Sequence, residues 1–185
     1  DAVRNAGRML QEGGAQSVKL EGGVSIAGTV DSLVKSGIPV MGHVGFTPQS
    51  INQIGGFKIQ GKVPKTALSV IKDAQSLESA GAYAVVLEMV PAELAEILSN
   101  RLSIPTIGIA SGVHCDGQVQ VLHDMLGLIE DFSPKHARKY VSLAESISVE
   151  ISKYINDVET QAFPSDLESH HMTSEALKQF REYYK

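Results

Sequence analysis

Ala82-Tyr83-Ala84-Val85-Val86-Leu87-Glu88-Met89-Val90-Pro91 decides the fold. An unbroken apolar run closed by one acid reads as a strand buried on both faces. Glu88 stands at its C-terminal end, where parallel α/β proteins carry their chemistry. The layout recurs along the chain. Ser17 to Glu21 runs into Gly22-Gly23, Ile38 to His43 into Val44-Gly45, and Ile104 to Ala110 into Ser111-Gly112. Four strand-like runs thus present Lys19, Glu21, His43, Glu88 and Ser111 at corresponding ends.

Helical patterns separate these runs. They are expected over 1–12, 24–36, 65–80 and 91–102, with Gly37 and Gly81 as stops and Pro91 in a first turn. A short helix is expected over 117–126 with Asp116 as its N-cap, and a fifth strand near 119–122 or 126–129. A long helix is read from Pro134 to Val158 through Tyr140, Ile147, Ile151, Ile155 and Val158, and a last one over 174–184. The glycine-rich stretch from Gly45 to Pro64 shows no periodicity; it could serve as a lid or phosphate loop, but it lacks the Gly-Lys-Ser/Thr ending of a nucleotide loop. Alternating β and α with short links implies a parallel sheet. A closed barrel takes about 250 residues, and this chain has 185. An open doubly wound sheet would fit the length, yet the Gly-x-Gly-x-x-Gly fingerprint is absent.

Composition narrows the function classes. The chain is 43% hydrophobic and 20% charged with net charge −5, so a core is expected and nucleic acid or membrane as main partner is disfavoured. No apolar run reaches about 18 residues. The single cysteine, Cys115, has no internal disulfide partner, which fits a reducing compartment. Asp1 falls inside a helical pattern without a leading Met, so the natural N-terminus is expected to be missing.

Lys19 and Glu21 lie two apart and share a strand face. A cation beside a carboxylate suits an anionic substrate and a divalent ion; a terminal salt bridge is the plain alternative. Glu88, delivered by an apolar strand, suits a base working near neutrality, or alternatively a cap for helix 91–102. His43 reads as a core histidine satisfied by backbone, or as a ligand. The remaining histidines show no zinc spacing.

The string Val40-Met41-Gly42-His43-Val44-Gly45-Phe46-Thr47-Pro48-Gln49-Ser50, followed by Gly55-Gly56-Phe57-Lys58-Ile59-Gln60-Gly61, resembles the ketopantoate hydroxymethyltransferase family. The segments Val18 to Gly23, Val86 to Pro91 and Ile107 to Gly112, with Asp116-Gly117-Gln118 and His123-Asp124, resemble it too, in order, over residues 1 to about 172. The resemblance implies a (β/α)8 TIM-type barrel of which only the later βα units are present. Residues 1–163 would be the C-terminal two-thirds of one barrel domain and 164–185 a tail. It implies hydroxymethyl transfer from 5,10-methylenetetrahydrofolate to 3-methyl-2-oxobutanoate, with magnesium or another divalent ion, in pantothenate synthesis. Glu21 resembles the third metal carboxylate, Lys19 a substrate-contacting lysine, Glu88 the proton acceptor, and His43 a supporting pocket residue. The family's two other metal aspartates would lie upstream of Asp1; Asp31, inside a helical pattern, is not one of them. The resemblance also implies a homo-oligomer, often a decamer, in the cytoplasm or, in a eukaryote, the mitochondrion. Two other readings remain: an inactive or partner-dependent barrel fragment, and another enolate-forming barrel of the phosphoenolpyruvate and isocitrate lyase type. Ala110-Ser111-Gly112 departs from the family's usual Gly-Ala-Gly.

Overall fold

A computed structural model describes residues 1–129, 131–132 and 134–184. They form two compact units. One comprises residues 1–121 and 134–137, the other the described part of 122–133 and 138–185. Lys185, the last residue of the expected tail, lies outside the described residues.

In the first unit, α1 (Ala2–Gln11) leads to β1 (Val18–Glu21). A 3-10 turn, Val24–Ile26, opens α2 (Ala27–Lys35), and β2 follows (Val40–Gly45). A second 3-10 turn, Pro48–Ser50, and a four-residue α3 (Ile51–Ile54) precede α4 (Pro64–Ser79). Then come β3 (Ala84–Glu88), α5 (Ala92–Arg101), β4 (Thr106–Ile109) and a two-residue β5 (Gly117–Gln118). The strands all pair in parallel, in the order β1-β2-β3-β4-β5, and an isolated antiparallel bridge joins Gly22 to His43. A strand order that never reverses has no switch point, so this sheet is not doubly wound. It is a parallel five-stranded α/β sheet, the arrangement of consecutive units in a TIM-type barrel; β1 and β5 each have one neighbour among the described residues.

Period-2 alternation divides the sheet. Val18, Val40, Val44, Val85 and Leu87 point to one face, where they pack on Val30 and Leu33 of α2, Val70, Ala74 and Leu77 of α4, and Leu94, Ala95 and Leu98 of α5. Leu33, Leu77, Leu87 and Leu98 are fully buried, each worth roughly 1.5–3 kcal/mol over exposure. Gly42 lets α4 approach β2, since a methyl group there would meet Leu77 Cδ1 at 2.6 Å. The opposite set of positions holds Lys19, Glu21, His43 and Glu88. The helix layer therefore supplies the packing, and the other face is left to the polar residues.

The region after β4 differs from the sequence expectation. The fifth strand lies at 117–118, earlier than either expected place, and the helix shrinks to α6 (Leu122–Leu126). Asp116 is no helix cap. Its Oδ2 accepts the Thr106 backbone N–H at 2.8 Å and the Thr106 hydroxyl at 3.0 Å, tying the 110–116 link back to β4. The long helix is α7 (Leu143–Glu159), starting nine residues later than the Pro134 start. α8 (Ser174–Tyr183) is present, capped by Thr173. α7 buries no residue; Ile147, Ile151, Tyr154, Ile155 and Val158 are exposed.

Two stability outcomes follow. The Thr106 backbone bond first, and its hydroxyl second, hold the Asp116 carboxyl below the ordinary carboxylate range. A depressed native value stabilises above the unfolded value and is lost as pH falls through the native one. Asp116→Asn should weaken resistance to urea near neutrality, with the deficit shrinking in acid; a deficit constant with pH contradicts this. Ala110 has φ +56°, a conformation costly to a side-chain-bearing residue. Ala110→Gly should raise the free energy of unfolding in urea by up to about 1 kcal/mol after the entropy cost of glycine.

Candidate functional site

The register of the first three strands assembles the site. Glu21 pairs with His43 across β1–β2, and Gly45 pairs with Glu88 across β2–β3. Lys19, two residues before Glu21, projects to the same face. His43 on the middle strand therefore stands between the Lys19–Glu21 pair and Glu88.

Distances bear this out. Lys19 Nζ is 3.0 Å from His43 Nδ1 and 3.4 Å from Glu21 Oε1. Glu21 Oε1 is 3.5 Å from His43 Nδ1. His43 Nε2 is 3.1 Å from Glu88 Oε2. Burial is graded. The His43 side chain is 1% exposed, Glu21 8%, Glu88 17% and Lys19 45%. A histidine is thus sealed at the centre, and the amine reaches outward. The Lys19–Glu21 salt bridge expected as the plain alternative is present, while those for His43 and Glu88 fail on contact. Neither His43 ring nitrogen bonds backbone. Glu88 does not cap α5, whose N-cap is Pro91.

Glu21 is further fixed by its other oxygen, which accepts the Gln49 backbone N–H at 2.9 Å. Gln49 belongs to the 3-10 turn after β2, so the Thr47-Pro48-Gln49 stretch closes over the β1 carboxylate. Sequence spacing gave no sign of this bond, because it joins backbone to a side chain 28 positions away.

The loop from Gly45 to Gly61 is secured at both ends to β3. Phe46 N–H donates to the Glu88 carbonyl at 2.8 Å, and Gln60 N–H to the Met89 carbonyl at 2.9 Å. Phe46 is fully buried, and exposed Phe57 stacks on it at 5.1 Å. Each of the first four strands ends in a positive-φ residue: Gly22, Gly45, Met89 and Ala110. Two of these carry side chains, and both sit beside Ser111. Buried Ser111 donates to the Leu87 carbonyl at 2.7 Å and lies 3.1 Å from that of Ile109. Ser111 therefore holds the ends of β3 and β4 together and is no free nucleophile. A cleft of about 510 Å³ opens here, lined by Ile59, Met89, Ala110, Gln118, Lys135 and His136 among others.

Other sequence candidates fall outside this cluster. Asp31 pairs with Lys35 on α2 at 2.7 Å. Cys115 is partly buried against the core, an environment of packing. His171 lies 3.1 Å from Asp166 in the exposed tail.

Among the described residues no group of three or more His, Cys, Asp or Glu is arranged to hold a metal. Glu21 brings a single carboxylate, with one oxygen facing Lys19 and His43 and the other taken by Gln49. A hard divalent cation wants about six oxygen ligands. These residues do not make a divalent site by themselves.

Fold and site together define an α/β protein with an amine, an imidazole and two carboxylates at the C-terminal ends of parallel strands. The chain belongs to the ketopantoate hydroxymethyltransferase family, whose model matches residues 1–166. Proteins named 3-methyl-2-oxobutanoate hydroxymethyltransferase are similar to it. That of Dehalococcoides mccartyi (strain CBDB1) is 56% identical over 180 residues, 97% of this chain and 64% of the relative. That of Chloroflexus aggregans is 56% identical over 171 residues, 92% of this chain and 61% of the relative. That of Clostridioides difficile (strain 630) is 48% identical over 178 residues, 96% of this chain and 65% of the relative. The chain thus spans somewhat under two thirds of the relatives' length, in their C-terminal part. No helix of the described residues is long and apolar enough to cross a membrane.

Gly45 makes the site testable as a folded object. Its φ is +91°, and a methyl group there would be driven into the Glu88 carbonyl. Gly45→Ala should cost about 2–4 kcal/mol in urea unfolding. Gly7→Ala, in α1 with open space around it, should instead stabilise by up to about 1 kcal/mol. Equal effects would mean that the β2–β3 crossing is not as close as described.

Proposed function

We propose that this chain carries the base and the substrate-binding amine of a hydroxymethyl transfer from 5,10-methylenetetrahydrofolate to 3-methyl-2-oxobutanoate, giving ketopantoate for pantothenate synthesis. The observation that carries the reading is the convergence of Lys19, Glu21 and Glu88 on one buried imidazole. Glu88 takes the C3 proton of the keto acid. Lys19, the most exposed member, meets the negative charge of the acid and of the enolate that forms; stabilisation of developing charge is commonly the largest contribution in such sites. Water opens the folate's methylene bridge: both carbon–nitrogen bonds break, the two nitrogens take the water's protons, and the carbon leaves at the level of formaldehyde. The enolate carbon adds to that carbonyl carbon, and protonated Glu88 returns its proton to the oxygen, which becomes the hydroxyl of the product. The cleft beside Met89, with apolar walls and the basic Lys135, is within the size range of small-molecule sites and suits an anionic donor.

Charge counting supports a cation in the complete site. By formal charge Lys19, Glu21 and Glu88 leave one negative charge around the ring of His43, and a keto acid adds another. A divalent ion, held by Glu21 with ligands from outside this chain, would supply Lewis-acid polarisation of the keto carbonyl. We place the sheet within a (β/α)8 barrel whose remaining strands flank β1 and β5, and regard a homo-oligomer in the cytoplasm, or the mitochondrion of a eukaryote, as the setting.

The test is exchange of deuterium at C3 of the keto acid, followed by NMR with magnesium present. It uses the 185-residue chain alone and completed by the N-terminal third of the Dehalococcoides relative. The completed protein should exchange, and Glu88→Gln should slow it at least about 100-fold. Undiminished exchange in the variant rules out Glu88 as the base. No exchange in any form, with the protein folded, overturns the enzymatic reading in favour of a non-catalytic fragment.

A further inference from the structure

The inference concerns His43, and its functional arm rests on the reading of Glu88 as the base. His43 is sealed from solvent, yet both ring nitrogens face charged groups. An ammonium has donors and no acceptor. A hydrogen bond from Lys19 Nζ, 3.0 Å away, requires this ring nitrogen to be unprotonated; the Glu21 Oε1 acceptor stands farther from it, at 3.5 Å. This assigns the proton to Nε2. That N–H lies 3.1 Å from Glu88 Oε2, but it is not directed along the line to the oxygen. Among the described residues, Nε2 is the buried side-chain polar atom without a hydrogen bond. The two facts agree if the ring is fixed and the carboxylate is the part that moves. The terminal torsion of a glutamate is broad, and Glu88 is more exposed than His43. A modest rotation of the carboxylate completes the bond and removes the cost of a buried, unmade donor.

We infer that His43 is a positioning residue: Lys19 locks its imidazole in the Nε2–H tautomer, and that N–H docks the Glu88 carboxylate for proton abstraction. The same ring thus connects the amine that meets the substrate to the base that attacks it. Lys19 acts on Glu88 through His43, as well as on the substrate directly.

Two arms test this. In the first, the 185-residue chain is labelled with 15N-histidine, and the His43 signals are identified by their loss in His43→Gln. In wild type, Nδ1 should resonate as an unprotonated and Nε2 as a protonated nitrogen. Lys19→Met should let both tautomers appear. A proton on Nδ1, or a spectrum indifferent to Lys19→Met, overturns the proposal. This arm needs no activity, so it stands whatever becomes of the enzymatic reading. In the second, C3 exchange is measured in the completed protein. His43→Asn, which has no donor at the Nε2 position, should lower kcat about 10- to 100-fold with KM for the keto acid changed less than about threefold. His43→Gln, whose amide N–H reaches that position, should recover part of the loss. Equal loss in both variants, or a change confined to KM, contradicts a positioning role.

Discussion

Everything at this site depends on the burial of one imidazole between oppositely charged neighbours on three adjacent strands. β2 lies between β1 and β3, and its register sets His43 level with Glu21 while Gly45 stands level with Glu88. Slipping β2 by one residue would turn His43 to the helix-covered face. The register is held from that face: Val40 and Val44 are buried in the core that α2 and α4 close over β2, and Gly42 admits Leu77. Apolar packing on one side of the sheet thus fixes polar geometry on the other. The same division explains why Lys19 and Glu21, which could have been a mere terminal salt bridge, are tied to a carboxylate two strands away.

The loops complete what the strands begin. A carboxylate at a strand end is free to turn unless something holds it. Glu21 is held by Gln49 N–H, and the Glu88 backbone is held by Phe46 N–H. Both come from the segment just after β2, whose start is fixed by buried Phe46. The loop that looked like a lid or phosphate cradle serves, along its first residues, as a brace for the Glu21 carboxylate and the Glu88 backbone. Positive φ at Met89 and Ala110 adds local strain at the ends of β3 and β4, and Ser111 restrains both turns through the Leu87 and Ile109 carbonyls. Strain gathered where chains turn beside a candidate base accords with a shape set by function as well as by folding.

The strands and their polar ends were legible because the signals are local. An apolar run with an acid at its end, glycines after it and a helical period between runs need no knowledge of distant residues. The parallel sheet and the facing of Lys19 with Glu21 follow from period alone. What escaped the sequence is what depends on partners far along the chain. His43 looks like an ordinary core residue until β1 and β3 are set beside it. Asp116 looks like a helix cap because an acid before a polar segment commonly is one; its real partner, Thr106, was ten residues back across a turn. The helical pattern from Pro134 failed at its start for a related reason. Tyr140 N–H bonds the Met125 carbonyl rather than a carbonyl one turn earlier, so the helix begins only at Leu143.

The central claim is that Lys19 and Glu88 are coupled through His43. A double-mutant cycle in urea unfolding, Lys19→Met with Glu88→Gln, measured with His43 present and again with His43→Phe, addresses it most directly. The account predicts a coupling of at least about 0.5 kcal/mol that falls away when the imidazole is gone. Additivity to within about 0.3 kcal/mol with His43 in place, in proteins that remain folded, would contradict it.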